Sequence, residues 1–108
     1  MSLSQKLKDT LQTDVKSIYI EPWDETIWVK PLTIGEVTKL QKKYPDFFTN
    51  MTGEAMVELI LMKALDKSGD KCLTLEDKPI LMRQSPAVIA NVAGAILGSD
   101  VSEDYEKN

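Results

Sequence analysis

The stretch "IWVKPLTIGEVTKLQ", Ile27 to Gln41, decides the fold, because a strand pattern gives way to a helix pattern within it. Ile27 and Val29 alternate with Trp28 and Lys30, the period-two signature of a half-buried strand. Thr33 with Glu36 three residues on is a capping box: the hydroxyl takes a first-turn N–H and the carboxylate reaches back to the cap. Leu32 is placed to staple onto Val37. Ile34, Val37 and Leu40 then recur at helical spacing, and Pro45 sets the limit near Tyr44. Thr33 and Glu36 are therefore read as a helix start and not as a catalytic pair.

Working toward the N-terminus, "VKSIYI" mirrors the strand across Pro22-Trp23-Asp24-Glu25, so residues 16–21 and 26–30 are expected to form a β-hairpin. Ile18 and Ile20 share one face with Ile27 and Val29, and Tyr19 and Trp28 point to the other. A lone hairpin is marginal in water, so one face must pack on helices or on another chain. Before it, Leu3, Leu7 and Leu11 form a single apolar stripe among Lys6, Lys8 and Asp9, predicting a short amphipathic helix.

Toward the C-terminus, "YPDFFTNMTG" is a loop whose Phe47 and Phe48 are too apolar for both to stay in water. Thr52 is the next cap, with Glu54 suited to the positive end of the helix dipole. The helix 54–66 is apolar nearly all round and so is either central or shared with a partner. Gly69 breaks the chain, Thr74 with Asp77 resembles a second capping box, and Lys78-Pro79 is a natural first turn. Ser85-Pro86 opens the last helix, 86–97, which Gly98 ends. Ala90, Gly94 and Gly98, four apart, give it a smooth second face. The fold class expected is mainly α (α+β), a small helical domain of four to five helices with the hairpin at about 16–30. One domain spans 1–98, and "SDVSEDYEKN", 99–108, has the composition of an acidic disordered tail.

Composition narrows function. The chain has 108 residues and a formal net charge of -4, and four of its seventeen acids lie in the last ten residues. Without that tail, thirteen acids face twelve bases. Arg83 is the only arginine and the lysines are interspersed with acids, so no nucleic acid partner is expected. Lys39, Lys42 and Lys43 follow one solvated helical face. With no histidine and one cysteine, Cys72, no common zinc pattern and no internal disulfide can be made, and a small buried hydrophobe is the expected role of that cysteine. No signal peptide or membrane span is read, and a cytoplasmic setting fits. No nucleophile with its base, phosphate loop or dinucleotide motif is present, so no catalytic residue, cofactor or metal is assigned and a non-enzyme is expected.

A binding role accounts best for the apolar excess. Met56, Met62 and Met82 lie on apolar stretches, and Met suits surfaces that accept varied partners. Met56, Leu59, Ile60, Ile89, Val92 and Ile96 are the expected contact residues, with Trp23 in the hairpin turn as a possible anchor. Trp28 is expected to cover the hairpin.

The order "IYI…TIWVKPLTIGEVTKL", an apolar helix, "LTLEDKPIL", "SPAVIANVAGAILG" and an acidic tail resembles the tail assembly chaperones of long-tailed bacteriophages, over roughly residues 16 to 98. The resemblance implies a protein of the host cytoplasm that binds the long helical tape measure protein and helps recruit tail-tube protein around it. It also implies self-association and absence from the finished virion. Many such genes make a longer form by frameshifting, and Glu106-Lys107-Asn108 permits a slippery GAA-AAA-AAC. The rival readings are a helix-turn-helix regulatory module around Pro79 and Pro86, which the Arg-free segment 86–97 disfavours, and a structural tail or connector component.

Overall fold

The computed structural model describes residues 2–13 and 15–98; the acidic segment 99–108 lies outside them. Among the described residues the fold is mainly helical, with five α-helices and one antiparallel hairpin. In order these are α1 (Leu3–Thr13), β1 (Lys16–Ile20), β2 (Glu25–Val29), α2 (Ile34–Lys43), α3 (Gly53–Lys63), α4 (Lys78–Leu81) and α5 (Pro86–Gly98). Single 3₁₀ turns at Glu21–Trp23 and Leu75–Asp77 connect the strands and lead into α4.

The hairpin register places Ile18 opposite Ile27 and Tyr19 opposite Thr26. Ile20, Ile27 and Val29 are buried and Tyr19 is exposed, as period two requires. The turn closes through Asp24, whose left-handed φ of 49° is tolerated by Asp, and the Asp24 carboxylate accepts from the Tyr19 hydroxyl at 2.8 Å. That bond pushes the Tyr19 phenol above its ordinary value.

The capping box forms as the sequence predicts: Glu36 N–H donates to Thr33 Oγ1 at 3.1 Å and Thr33 N–H to Glu36 Oε1 at 2.9 Å. Phe47 fills the core, and Phe48 meets it edge-on from the exposed side with centroids 4.9 Å apart. Thr74 and Asp77 cap the second 3₁₀ turn, which hands the chain to α4 with Pro79 in its first turn.

Several boundaries differ from expectation. The apolar helix stops at Lys63 rather than residue 66, because Leu65 is drawn into the sheet. Its N–H donates to the Trp28 carbonyl at 2.8 Å and its carbonyl accepts from Trp28 N–H at 2.9 Å, so one residue acts as a third strand beside β2. β1 ends one residue earlier than read, at Ile20, and β2 is shifted by one residue at both ends, to Glu25–Val29.

α3 lies at the centre, packed along α5, with β1 and β2 against the same core. Leu59 and Ile60 are completely buried, and Val57, Ile89, Val92 and Ile96 close round them. Cys72, expected inside, is exposed: it follows the Gly69 turn and leaves the core to Leu73, which packs partly against it.

Candidate interaction surface

The contact residues expected from sequence divide sharply. Leu59, Ile60, Ile89, Val92 and Ile96 face inward and are buried in this chain's own core, which corrects the expectation that they meet a partner. An apolar helix in so small a domain is consumed by folding, since the core must be drawn from a few segments. Met56 is half-buried and Met82 is 49% exposed.

Those two methionines lie on one groove. α3 contributes Gly53, Met56 and Val57, α4 and its exit Leu81, Met82 and Gln84, and the start of α5 Pro86 and Ile89, around a cavity of about 200 Å³. α4 is only one turn long because Pro79 forbids its extension backward and Ser85-Pro86 restarts the chain in a new direction. The short turn leaves Ile80 and Met82 at the surface. Met62 lines a second groove with Leu61, Leu73 and Leu75, of about 360 Å³, so all three methionines singled out in the sequence border surface hollows.

Trp23 does not stand free. It is half-buried, and its indole Nε1–H donates to Gln84 Oε1 at 3.1 Å, tying the hairpin turn to the groove rim across 61 residues of sequence. Gln84 Nε2 reaches the Ile80 carbonyl at 3.4 Å. Trp23 thus holds the residue that borders the groove. Trp28, half-buried, lies on the outer face as expected and gives its backbone to Leu65.

Charges gather beside α2, α3 and α4 rather than in the Met groove. Lys43 pairs with Glu58, Lys78 with Glu54 at 3.0 Å, and Lys78 Nζ lies 4.0 Å from Glu58. Hydrogen bonding to Glu58 raises the Lys43 ammonium and bonding to Glu54 raises Lys78, so both stay charged. Tyr44 sits among them with its hydroxyl buried and unpartnered, and burial pushes its phenol up.

Another hollow, about 380 Å³, runs between β1 and α5 and is lined by Ile18, Ile20, Val88, Val92 and Ala95, with Glu21 and Asn91 at its rim. On α5 the small-residue face is open: Ala90 and Gly94 are exposed, and a Cβ at Gly94 meets nothing within 4 Å. Sequence alone missed Leu75 and Ile80 as exposed apolar residues, because periodicity shows a stripe and not whether a neighbour covers it. None of the described helices is long and apolar enough to cross a membrane. Compared with known proteins, the chain matches no family model, no curated protein and no solved structure.

Proposed function

We propose that this chain is an assembly chaperone of a long-tailed bacteriophage, active in the host cytoplasm, that shields apolar helical segments of the tape measure protein while tail-tube subunits are recruited. The observation that carries this reading is the surface groove formed by Met56, Met82 and Pro86 over a floor of buried Val57, Leu81 and Ile89. Flexible thioethers let such a groove accept side chains of different shape. Its exposed rim supplies a contact surface that Leu59, Ile60, Val92 and Ile96 do not.

The energetics suit a transient partner. Each Leu, Ile or Met side chain brought out of water is worth roughly 1.5–3 kcal/mol, from which the ordering cost of association is subtracted. Two or three such contacts give a complex that holds an apolar helix and still releases it. The resemblance of Leu32-Thr33…Glu36…Leu40 and its flanking elements to the phage chaperones supplies the identity of the partner, which the groove alone does not.

Co-expression tests the proposal. The proposal expects a long helical tape measure protein encoded beside this gene, recovered soluble with the wild-type chain and precipitating with a Met56→Glu/Met82→Glu variant that keeps its far-UV circular dichroism. Partner solubility that is the same with and without the chaperone sinks the reading. Recovery of the chain in purified particles replaces it with a structural tail role.

A further inference from the structure

The hairpin is capped on one edge only. β2 gives the N–H and carbonyl of Trp28 to Leu65, so Trp28 has neither left for β1, and the alternation of an antiparallel ladder fixes the rest. Lys16, Ile18 and Ile20 exchange bonds with Val29, Ile27 and Glu25, while the backbone groups of Ser17 and Tyr19 point away from the sheet. An edge of this kind is a template for another strand.

The helix before that edge is equally unfinished. Every residue from Ser2 to Lys8 is exposed, and in α1 Leu3 and Leu7 are 72% and 59% exposed although they form one apolar stripe. Only two residues, 14 and 15, separate α1 from β1. The hollow between β1 and α5, apolar along Ile18, Ile20, Val88 and Val92 and polar at Glu21 and Asn91, begins at the other end of the same strand.

We infer that the chain forms a two-fold symmetric dimer in which β1 pairs antiparallel with β1 of a second copy and each α1 covers the β1/α5 groove of the other. With Ile18 on the axis, Ser17 of each copy faces Tyr19 of the other, and the two outward-facing residues of each edge satisfy one another. Four hydrogen bonds form and a four-stranded sheet results. The same register sets Lys16 opposite Ile20 of the second copy. The short connection then delivers α1 to Glu21 and Pro22 of that copy, at the mouth of its groove. Leu3 and Leu7 meet the apolar part of the lining there, and Glu21 on the rim is the counter-charge for Lys8.

A second copy is the occupant, and not α1 of the same chain, because a helix folded back on its own groove leaves the Ser17 and Tyr19 backbone groups unpaired. A strand satisfies them. The inference rests on the edge and on α1, and it stands or falls separately from the chaperone reading.

Sedimentation equilibrium of the full chain is expected to show a dimer at micromolar concentration. Ser17→Pro removes an outward N–H and no bond within the hairpin, and Leu3→Asp/Leu7→Asp alters only exposed side chains. Each is expected to raise the dissociation constant about 10-fold or more, with far-UV circular dichroism unchanged. Residues facing each other across a non-hydrogen-bonded pair lie about 4.5 Å apart at Cα, within disulfide reach. Ile18→Cys in a Cys72→Ser background is therefore expected to oxidise to a covalent dimer. A wild-type monomer at every concentration overturns the inference, as does a dimer that both surface variants leave intact or that Ile18→Cys does not cross-link.

Discussion

The ammonium group of Lys63 stands 2.9 Å from Glu36 Oε1, the same oxygen that accepts the Thr33 N–H, so one carboxylate oxygen both caps α2 and locks it to the end of α3. Lys63 also donates to the Pro31 carbonyl at 3.2 Å and is only 6% exposed. The segment that joins hairpin to helices is thereby pinned by a buried cation.

Lys63→Met keeps the apolar stem and removes the ammonium, leaving the Pro31 carbonyl without this donor and Glu36 without its charge partner. A loss of about 1–2 kcal/mol is expected, toward the low end because Glu36 retains water contact. Lys63→Ala should cost about 1 kcal/mol more through the lost stem. Urea unfolding at constant m measures both, and equal stability of all three proteins contradicts the pinning role.

The same site carries a pH dependence. Burial alone raises the Glu36 carboxyl, but the Thr33 N–H and the Lys63 ammonium outweigh it and hold it below the ordinary value of 4.5. Because the folded value is the lower one, its contribution is fully present above pH 4.5 and is lost as pH falls from there through the folded value. Glu36→Gln is expected to be less stable than wild type at pH 7 and to approach it in acid. Parallel stability curves for the two proteins in this range contradict the assignment.

Local rules made the hairpin, the Thr33–Glu36 box, the Pro79 and Pro86 starts and the burial of Phe47 legible, since each depends on residues within a few positions of one another. The Leu65 bridge, the Trp23–Gln84 bond and the Lys63 lock were not legible, because each joins residues brought together only by the finished fold. The candidate contact residues failed for a related reason. Apolar periodicity finds Leu59 and Ile89 without telling a core face from a docking face, whereas the Met56/Met82 groove arises from how α4 is cut short.

Leu59 and Met82 give that distinction a measurable form. Leu59→Ala empties a fully buried site and is expected to cost about 2–5 kcal/mol, enough to threaten a domain of this size. Met82→Ser, at the groove surface, should change stability by about 0.5 kcal/mol or less while weakening partner capture. Chemical denaturation with the co-expression assay separates them, and a large stability loss at Met82 places it in the core instead.

Trp23→Phe keeps a smaller aromatic ring and deletes the Nε1–H that Gln84 accepts. A partly buried neutral hydrogen bond is worth about 1 kcal/mol, so a modest loss is expected, with faster amide exchange at the groove rim around Gln84. Gln84→Glu restores nothing in the Phe variant but keeps an acceptor for the wild-type indole. A double-mutant cycle with no coupling between the two positions contradicts the tie.

Gly94 and Gly69 should respond to alanine with opposite signs. Gly94 lies inside α5 with open space where a Cβ would stand, so Gly94→Ala removes backbone entropy from the unfolded chain and is expected to stabilise by about 1 kcal/mol. Gly69 has a φ of +91°, which a side chain strains whatever the space around it, and Gly69→Ala is expected to destabilise by about 1 kcal/mol or more. At this chain length, each kcal/mol moves the thermal midpoint by about 4–8 °C, well within calorimetric resolution. A stability loss at Gly94 means that the small-residue face of α5 is covered by a close neighbour in solution, because the isolated chain gives the new methyl group nothing to strike.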